Sequence, residues 1–295
     1  MNPATSVRTR RAAVVTLGAA LAGVFTGPAL AAPATRAGAQ AARRPARPPL
    51  GRAHAHNDYA HPHPLTDALS HGFGSVEADI WLVGGKLLVA HDASGLDPSR
   101  TLESLYLEPL LRRVRAGRGR VYEGYDLSLQ LLIDIKTAGD PTYRELARHL
   151  RRYRSMLSTC VGGRVSRGAV TAVVSGDRGA RVPMATERVR RAFYDARLAD
   201  LGTGVPASFA PLVSDNWSTK FGWQGVGPMP GTERAELLRI VSSAHAEGRR
   251  VRFWATPDQP GPAREAVWRE LLTAGVDHLN TDDLAGLEAF LRAAG

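Results

Sequence analysis

Cysteine is almost absent: Cys160 is the only one among 295 residues. No intrachain disulfide can form, so stability has to come from a packed core. Acidic residues are missing from the first 52 positions, which hold eight Arg and no Lys, Asp or Glu. The formal charge of +10 belongs mostly to that stretch, because the remainder has 30 Lys and Arg against 28 Asp and Glu. So even a balance excludes reading the charge as a nucleic-acid-binding surface. Beyond the leader, no segment approaches 18 consecutive apolar residues, so no stable membrane anchor is expected there. No Cys directly follows Ala31 to carry a lipid. No Gly-x-Gly-x-x-Gly follows the first expected strand, which counts against a dinucleotide site. No internal repeat is visible.

What is present divides into three parts. Arg8, Arg10 and Arg11 precede an apolar run from Ala12 to Leu30 that closes on Ala29-Leu-Ala31, a small-x-small cleavage pattern. Residues 1–31 read as a signal peptide, which implies a secreted protein. Thr9-Arg10-Arg11 is compatible with twin-arginine export. Residues 32–51, rich in Ala, Arg and Pro, read as a disordered linker. The whole chain is 44% apolar, and residues 52–295 are long enough to bury a sizeable core.

From Arg52 onward, strand and helix patterns alternate. Strands are expected at Arg52–His56, from Val76 to Leu82, and at Leu129–Lys136, Ala169–Ser175, Arg191–Tyr194, Phe209–Ser214, Val251–Ala255 and Val276–Leu279. Helices are expected near Leu65–Ser70, Thr101–Ala116, Pro141–Met156, Met184–Val189, Glu233–Glu247, Ala263–Ala274 and Leu284–Ala293. Gly84-Gly85 marks a tight turn that sends Lys86–Val89 back beside the second strand. Eight strands interleaved with helices give an α/β fold, a (β/α)8 TIM barrel with a small hairpin after strand 2. An open doubly wound sheet is the alternative.

The second strand carries the chemistry. Val76, Ala78, Ile80 and Leu82 point one way, and Glu77, Asp79 and Trp81 the other. Two carboxylates about 7 Å apart on one face fit a half-exposed polar strand when taken alone; with His91-Asp92 and the upstream histidines they point instead to a hard divalent cation. In a barrel the site lies at the C-terminal strand ends, and polar residues gather there: His54 and His56, then Glu77 and Asp79, then Asp134 and Lys136. Ser175 and Asp177, Asp215 and Asn216, Trp254 and Thr256, and Asp282 follow. Any one of these could be a cap or a surface group; the same habit on several converging strands is harder to explain that way. Glu77, Asp79 and Asp134 form a candidate site for one Mg²⁺ or Ca²⁺. Lys136 suits a phosphate oxygen or, without metal, a salt bridge to Glu77 or Asp79. His56 and His91 are the candidate acid/base pair. Trp254 is either a substrate platform or barrel core.

These residues carry a resemblance. Glu77-x-Asp79, Gly84-Gly-Lys86 and then Val89-Ala-His91-Asp92 resemble the pattern of the glycerophosphodiester phosphodiesterases. Ala55-His56 falls where that family has the His of its His-Arg-Gly. Leu-Leu-Ile-Asp134-Ile-Lys136 resembles its Glu-x-Lys strand, Phe253-Trp254-Ala-Thr256 its Trp-Thr strand, and Val276 to Asp282 its closing Thr-Asp strand. The likeness spans residues 52–292 in order and extends to the wider superfamily of phosphatidylinositol-specific phospholipases C and sphingomyelinase D-like enzymes. Ala55-His-Asn-Asp-Tyr59 is similar to a poorly characterised branch of secreted and fungal proteins. Three departures stand out. Asn57 replaces the Arg of His-Arg-Gly, which removes a phosphate-binding charge, the family's next motif of Glu-Asn-Thr is absent, and the third acid is Asp134 rather than Glu.

The resemblance implies a metal-dependent phosphoric diester hydrolase acting on a glycerophosphodiester or phospholipid-type head group. His56 and His91 would exchange protons, Lys136 would offset phosphoryl charge, and His54, Asn57, Trp254 and Asp215 would contact substrate. The expected partner is that small molecule, with no nucleic acid. Two other readings remain open at this point. His54-Ala-His56 is a His-x-His on strand one, as in amidohydrolase-like metal hydrolases, and a decayed barrel would serve as a non-catalytic secreted binding protein.

Overall fold

The structure, a computed structural model, describes residues 47–294, which belong to one compact unit. The expected leader and most of the expected linker lie outside the described residues. Strand β1 (Leu50–Ala55) begins two residues before the expected strand start at Arg52, followed by α1 (Thr66–Ser70). Strand β2 (Phe73–Val83) folds back through Gly84-Gly85 into β3 (Lys86–Val89). Then come α2 (Glu108–Ala116), β4 (Leu129–Ile135), α3 (Gly139–Leu150), β5 (Thr159–Val161), β6 (Arg164–Ser166), β7 (Val170–Gly176) and α4 (Arg181–Thr186). The chain continues with β8 (Val189–Arg190), β9 (Ala192–Ala196), β10 (Leu212–Asn216), α5 (Trp217–Lys220) and α6 (Gly231–Ala246). It ends with β11 (Arg250–Trp254), α7 (Pro262–Ala274), β12 (Leu279–Thr281) and α8 (Leu284–Ala294).

Eight parallel strands run in the order β11-β10-β9-β7-β4-β2-β1-β12. A parallel bridge between Arg252 and His278 joins the two ends of that order, so the sheet is a nearly closed TIM barrel. Alternation decides which side chains go where. Val76, Ala78 and Ile80 pack outward with Leu131, Ile133, Ala172 and Val174 in the layer shared with the helices. Their neighbours point inward. Part of the interior is apolar, built from Leu132, Val173, Phe193 and Leu212, and buried Cys160 joins it from β5. The rest is polar: His54, Ser75, Glu77, Gln130, Arg252 and His278 are all buried.

Three expected boundaries moved for identifiable reasons. A small antiparallel sheet, β6-β5-β8, was not expected; its strands are too short to show a period. It draws Arg190 into a pairing with Cys160, so β9 starts later than the expected Arg191 and includes Asp195. The last strand begins at Leu279 because Asp277 is used otherwise: its carboxylate accepts from Val251 N, and its own amide donates to Val251 O. The helix expected near Met184–Val189 is α4, shifted towards Arg181.

Candidate active site

The C-terminal ends of the strands bring most of the expected residues together. Asp79 and Asp134 are register partners on β2 and β4, and Ser175 on β7 continues the same row. Lys136 Nζ lies 3.0 Å from Asp79 Oδ2 and 3.0 Å from Asp134 Oδ1. Burial, together with the nearby Glu77 charge, pushes the Asp79 carboxyl above its usual range, with Lys136 and Tyr59 opposing. Burial pushes Asp134 up to about 6. Lys136 is disfavoured as a cation by burial, but Asp134 and Asp79 outweigh that and raise it. One cation shared by Asp79 and Asp134 leaves negative charge over.

The stretch His56 to Tyr59 forms the opposite wall, and each residue has a task. His56 Nδ1 is 2.8 Å from Asp282 Oδ1, and its Nε2 makes no hydrogen bond among the described residues. Burial works against a charged His56, but the hydrogen bond to Asp282 and the charges of Glu77 and Asp282 raise it overall. Asn57 adopts a left-handed backbone (φ 46°), which Asn tolerates better than most residues. Its amide nitrogen lies 2.9 Å from His56 Nδ1 and 3.4 Å from both Asp282 oxygens. Asp58 is buried; it accepts from Leu65 N at 2.6 Å and from the Tyr106 hydroxyl at 2.9 Å, which fixes the loop. The Tyr59 hydroxyl lies 2.6 Å from Asp79 Oδ2, 2.6 Å from Asn57 Oδ1 and 3.1 Å from His91 Nδ1. His91 Nδ1 is also 3.3 Å from Asp79 Oδ2, and the His91 side chain is mostly exposed. A cavity of about 260 Å³ lies against Asn57, Tyr59, His61, His91 and Asp282.

Beneath this layer runs a directional hydrogen-bond chain. Arg250 donates to Gln130 at 2.9 Å, and Gln130 donates to Ser75 at 2.9 Å. Ser75 Oγ is 2.7 Å from His54 Nδ1, and His54 Nε2 is 2.9 Å from Glu77 Oε2. Arg252 reaches the same Glu77 oxygen at 3.0 Å. With Nε2 donating, His54 is neutral; burial and the Arg252 charge lower it to about 4. Glu77 is opposed by burial, but Arg252 and His54 hold it well below the carboxylate range.

The geometry gives three of the expected site residues other partners. His54, expected at the substrate, is fully buried and supports Glu77. Asp215 is committed to the backbone, accepting from Leu198 N at 3.3 Å and Asn216 N at 2.9 Å. Glu77 is engaged by Arg252 and His54, and no three His, Cys, Asp or Glu side chains are assembled to hold a metal ion among the described residues. Asp79 and Asp134 nevertheless suit a hard cation. Asp79 Oδ1 is buried with no hydrogen-bond partner, and the surplus negative charge is of the right sign. Trp254 ends β11 half-buried at the same rim. The sequence reading missed Tyr59, Asp282 and Arg252 as working parts. Tyr59 and Asp282 stood inside motifs already singled out, and Arg252, two residues before Trp254, takes the same strand face.

Acids, a shared lysine and two histidines meet on the C-terminal rim of a TIM barrel, and comparison with known proteins gives the class of that barrel. Residues 48–195 match the AIM6-like phosphodiesterase domain, and residues 250–285 match the glycerophosphoryl diester phosphodiesterase family. The altered inheritance of mitochondria protein 6 of Eremothecium gossypii is 33% identical over 273 residues, 82% of this chain and 70% of that protein. A homolog from Arthroderma benhamiae is 30% identical over 262 residues, 80% of this chain and 82% of its own. The crystal structure of a Parabacteroides distasonis glycerophosphoryl diester phosphodiesterase shares the fold, with TM-score 0.50 and 13% identity over 84% of this chain and 88% of that one. The chain belongs to the AIM6-like phosphodiesterase family, within the glycerophosphodiester phosphodiesterase and phospholipase C-like superfamily.

Proposed function

We propose that the protein is a secreted, metal-dependent phosphodiesterase acting on a glycerophosphodiester or phospholipid-type head group. The observation that carries this is His56: its Nδ1 is held by Asp282, while its Nε2 makes no hydrogen bond among the described residues, on the strand-end rim that also carries the Asp79–Lys136–Asp134 cluster. A histidine oriented by a carboxylate through one nitrogen is equipped to take a proton at the other. His56 deprotonates the attacking hydroxyl, from water or from a neighbouring group of the substrate. His91, on the far side of Tyr59, protonates the leaving alkoxide. Tyr59 has one hydroxyl proton and two oxygen acceptors at 2.6 Å, so it ties the Asp79 wall to the Asn57 wall through either. Asp79 and Asp134 would hold the divalent cation, with Glu77 adding negative charge behind them. Bound there, Mg²⁺ or Ca²⁺ would supply positive charge to the phosphoryl oxygens. Lys136 meets those oxygens as a point charge.

The amidohydrolase-like alternative loses its basis, because His54 Nε2 faces Glu77 and a guanidinium rather than an open site. The deciding experiment is a panel of phosphodiesters offered to the purified protein with and without EDTA. Turnover that EDTA abolishes and Mg²⁺ or Ca²⁺ restores supports the proposal. No turnover on any diester with either metal refutes it and leaves the binding-protein alternative. Secretion is checked by mass spectrometry of exported material, where an N-terminus at or after about residue 32 is expected and an intact Met1 contradicts it.

A further inference from the structure

A bound phosphodiester brings a negative charge on two non-bridging oxygens. Apart from a bound cation, the side chains of the rim offer little to meet it: Lys136 is shared between two acids, and Asn57 is uncharged where the resembling family carries Arg. Arg252 cannot substitute, being 4% exposed and tied to Glu77 one layer down. The next cation along the wall is Arg197. It follows the last residue of β9, and its side chain turns back over the barrel mouth. Nη1 lies 2.8 Å from Asp195 Oδ2 and 3.2 Å from Ser214 Oγ on β10. Nη2 reaches 3.4 Å from Ser175 Oγ on β7. Ser175 is the register partner of Asp134, so the fork leans towards the Asp134–Lys136 corner. Nε donates to nothing among the described residues, Nη2 has only that one long contact, and 28% of the side chain is exposed. Burial opposes its charge, and Asp195, Asp215 and Asp134 together restore it.

We propose that Arg197 and Lys136 form a two-cation cradle for the non-bridging oxygens of the substrate, with Arg197 supplying the charge that Asn57 lacks. The proposal rests on the phosphodiesterase reading for its ligand class. Its geometry is that of a planar donor fork held in place by Asp195 and two serine hydroxyls, with Nε and one side of Nη2 open. Neutralising buried Asp195 needs only the 2.8 Å contact; it does not need a fork extended across β7.

Binding rather than turnover separates this inference from the reading beneath it. Dimethyl phosphate, a simple diester anion, is titrated into the full chain in Mg²⁺ buffer and followed by phosphorus NMR. The wild type is expected to bind, and Arg197→Gln to bind about 10- to 100-fold more weakly, as loss of charge-assisted hydrogen bonds implies. Arg197→Lys keeps the pairing with Asp195 but not the fork, and is expected to fall between the two. Thermal melting establishes whether each variant is folded. If Arg197→Gln does not fold, Arg197→Lys decides: unchanged affinity in that variant overturns the cradle. Wild-type affinity in folded Arg197→Gln, or no binding by the wild type, overturns it as well. A protein that binds dimethyl phosphate through Arg197 but cleaves no diester would leave the cradle standing and remove the proposed activity.

Discussion

His56 Nδ1 lies 2.8 Å from Asp282 Oδ1, although 226 positions separate the two residues. The contact raises His56 above the ordinary imidazole range against the effect of burial. A general base must be unprotonated, so activity is expected to be lost as pH falls through a value above the ordinary histidine range. Asp282→Asn removes the charge and lowers His56. The acid limb of kcat/KM should then move to lower pH, while the plateau falls by roughly 10²–10⁴-fold because the ring loses its orientation. A pH–rate profile checks both; an unmoved limb would mean that His56 is not the base.

His91 and His56 separate by leaving group. An alkyl alkoxide leaves badly unless protonated, whereas a nitrophenolate needs little help. His91→Asn should lose about 10²–10⁴-fold on an alkyl phosphodiester and far less on a nitrophenyl one. His56→Asn should impair both alike, since each needs an activated nucleophile. The reverse pattern would exchange the two roles.

Asp134 makes a linkage prediction. Its folded carboxyl titrates near 6, above the usual value of 3.8. Between about pH 4 and 6 the folded state holds a proton that the unfolded state has released, so stability falls as pH rises through that window. In EDTA at pH 7, Asp134→Asn should therefore melt higher than the wild type, and the gap should close near pH 4. Added Mg²⁺ or Ca²⁺ should raise the wild-type melting temperature, and Asp79→Asn should abolish that rise. A rise that persists in Asp79→Asn would move the cation elsewhere.

The Arg252–Glu77 pair is buried on both sides. Breaking it by Arg252→Met should cost about 3–5 kcal/mol, because Glu77 is left as an uncompensated charge beside His54. Arg252→Met combined with Glu77→Leu should recover most of that loss while leaving the protein inactive if Glu77 contributes charge to the site. Urea unfolding of the four proteins measures the coupling. Equal losses in the single and double variants would contradict it.

The barrel was legible because its strands alternate cleanly: Val76, Ala78 and Ile80 against Glu77 and Asp79 fixes an inside and an outside without any knowledge of neighbours. Asp79, Asp134 and Lys136 were legible for the same reason, since parallel strands in register place like positions side by side. The engagement of Glu77 was not, because Arg252 lies 175 positions away on β11 and meets it only once the sheet closes. His54 looked like a surface ligand for the same reason: period two says which face a side chain takes, but not its depth along the barrel. Asp282 stood at a recognised strand end, yet its role depends on β12 lying beside β1.

That adjacency of β1 and β12 has a consequence for how the protein is made. Residues 53–55 pair with residues 279–281, so the first barrel strand waits for the last. Contacts of such separation form late and slow the folding of the whole chain. A nascent chain that has emerged as far as β10 already carries His56, Asp79, His91, Asp134 and Lys136, but lacks both Asp282 and Arg252. Its histidine has no orienting carboxylate and its Glu77 has no counter-charge. The His56–Asp282 and Glu77–Arg252 pairs are thus completed only when the last two strands are delivered, so an interrupted translation product would lack both.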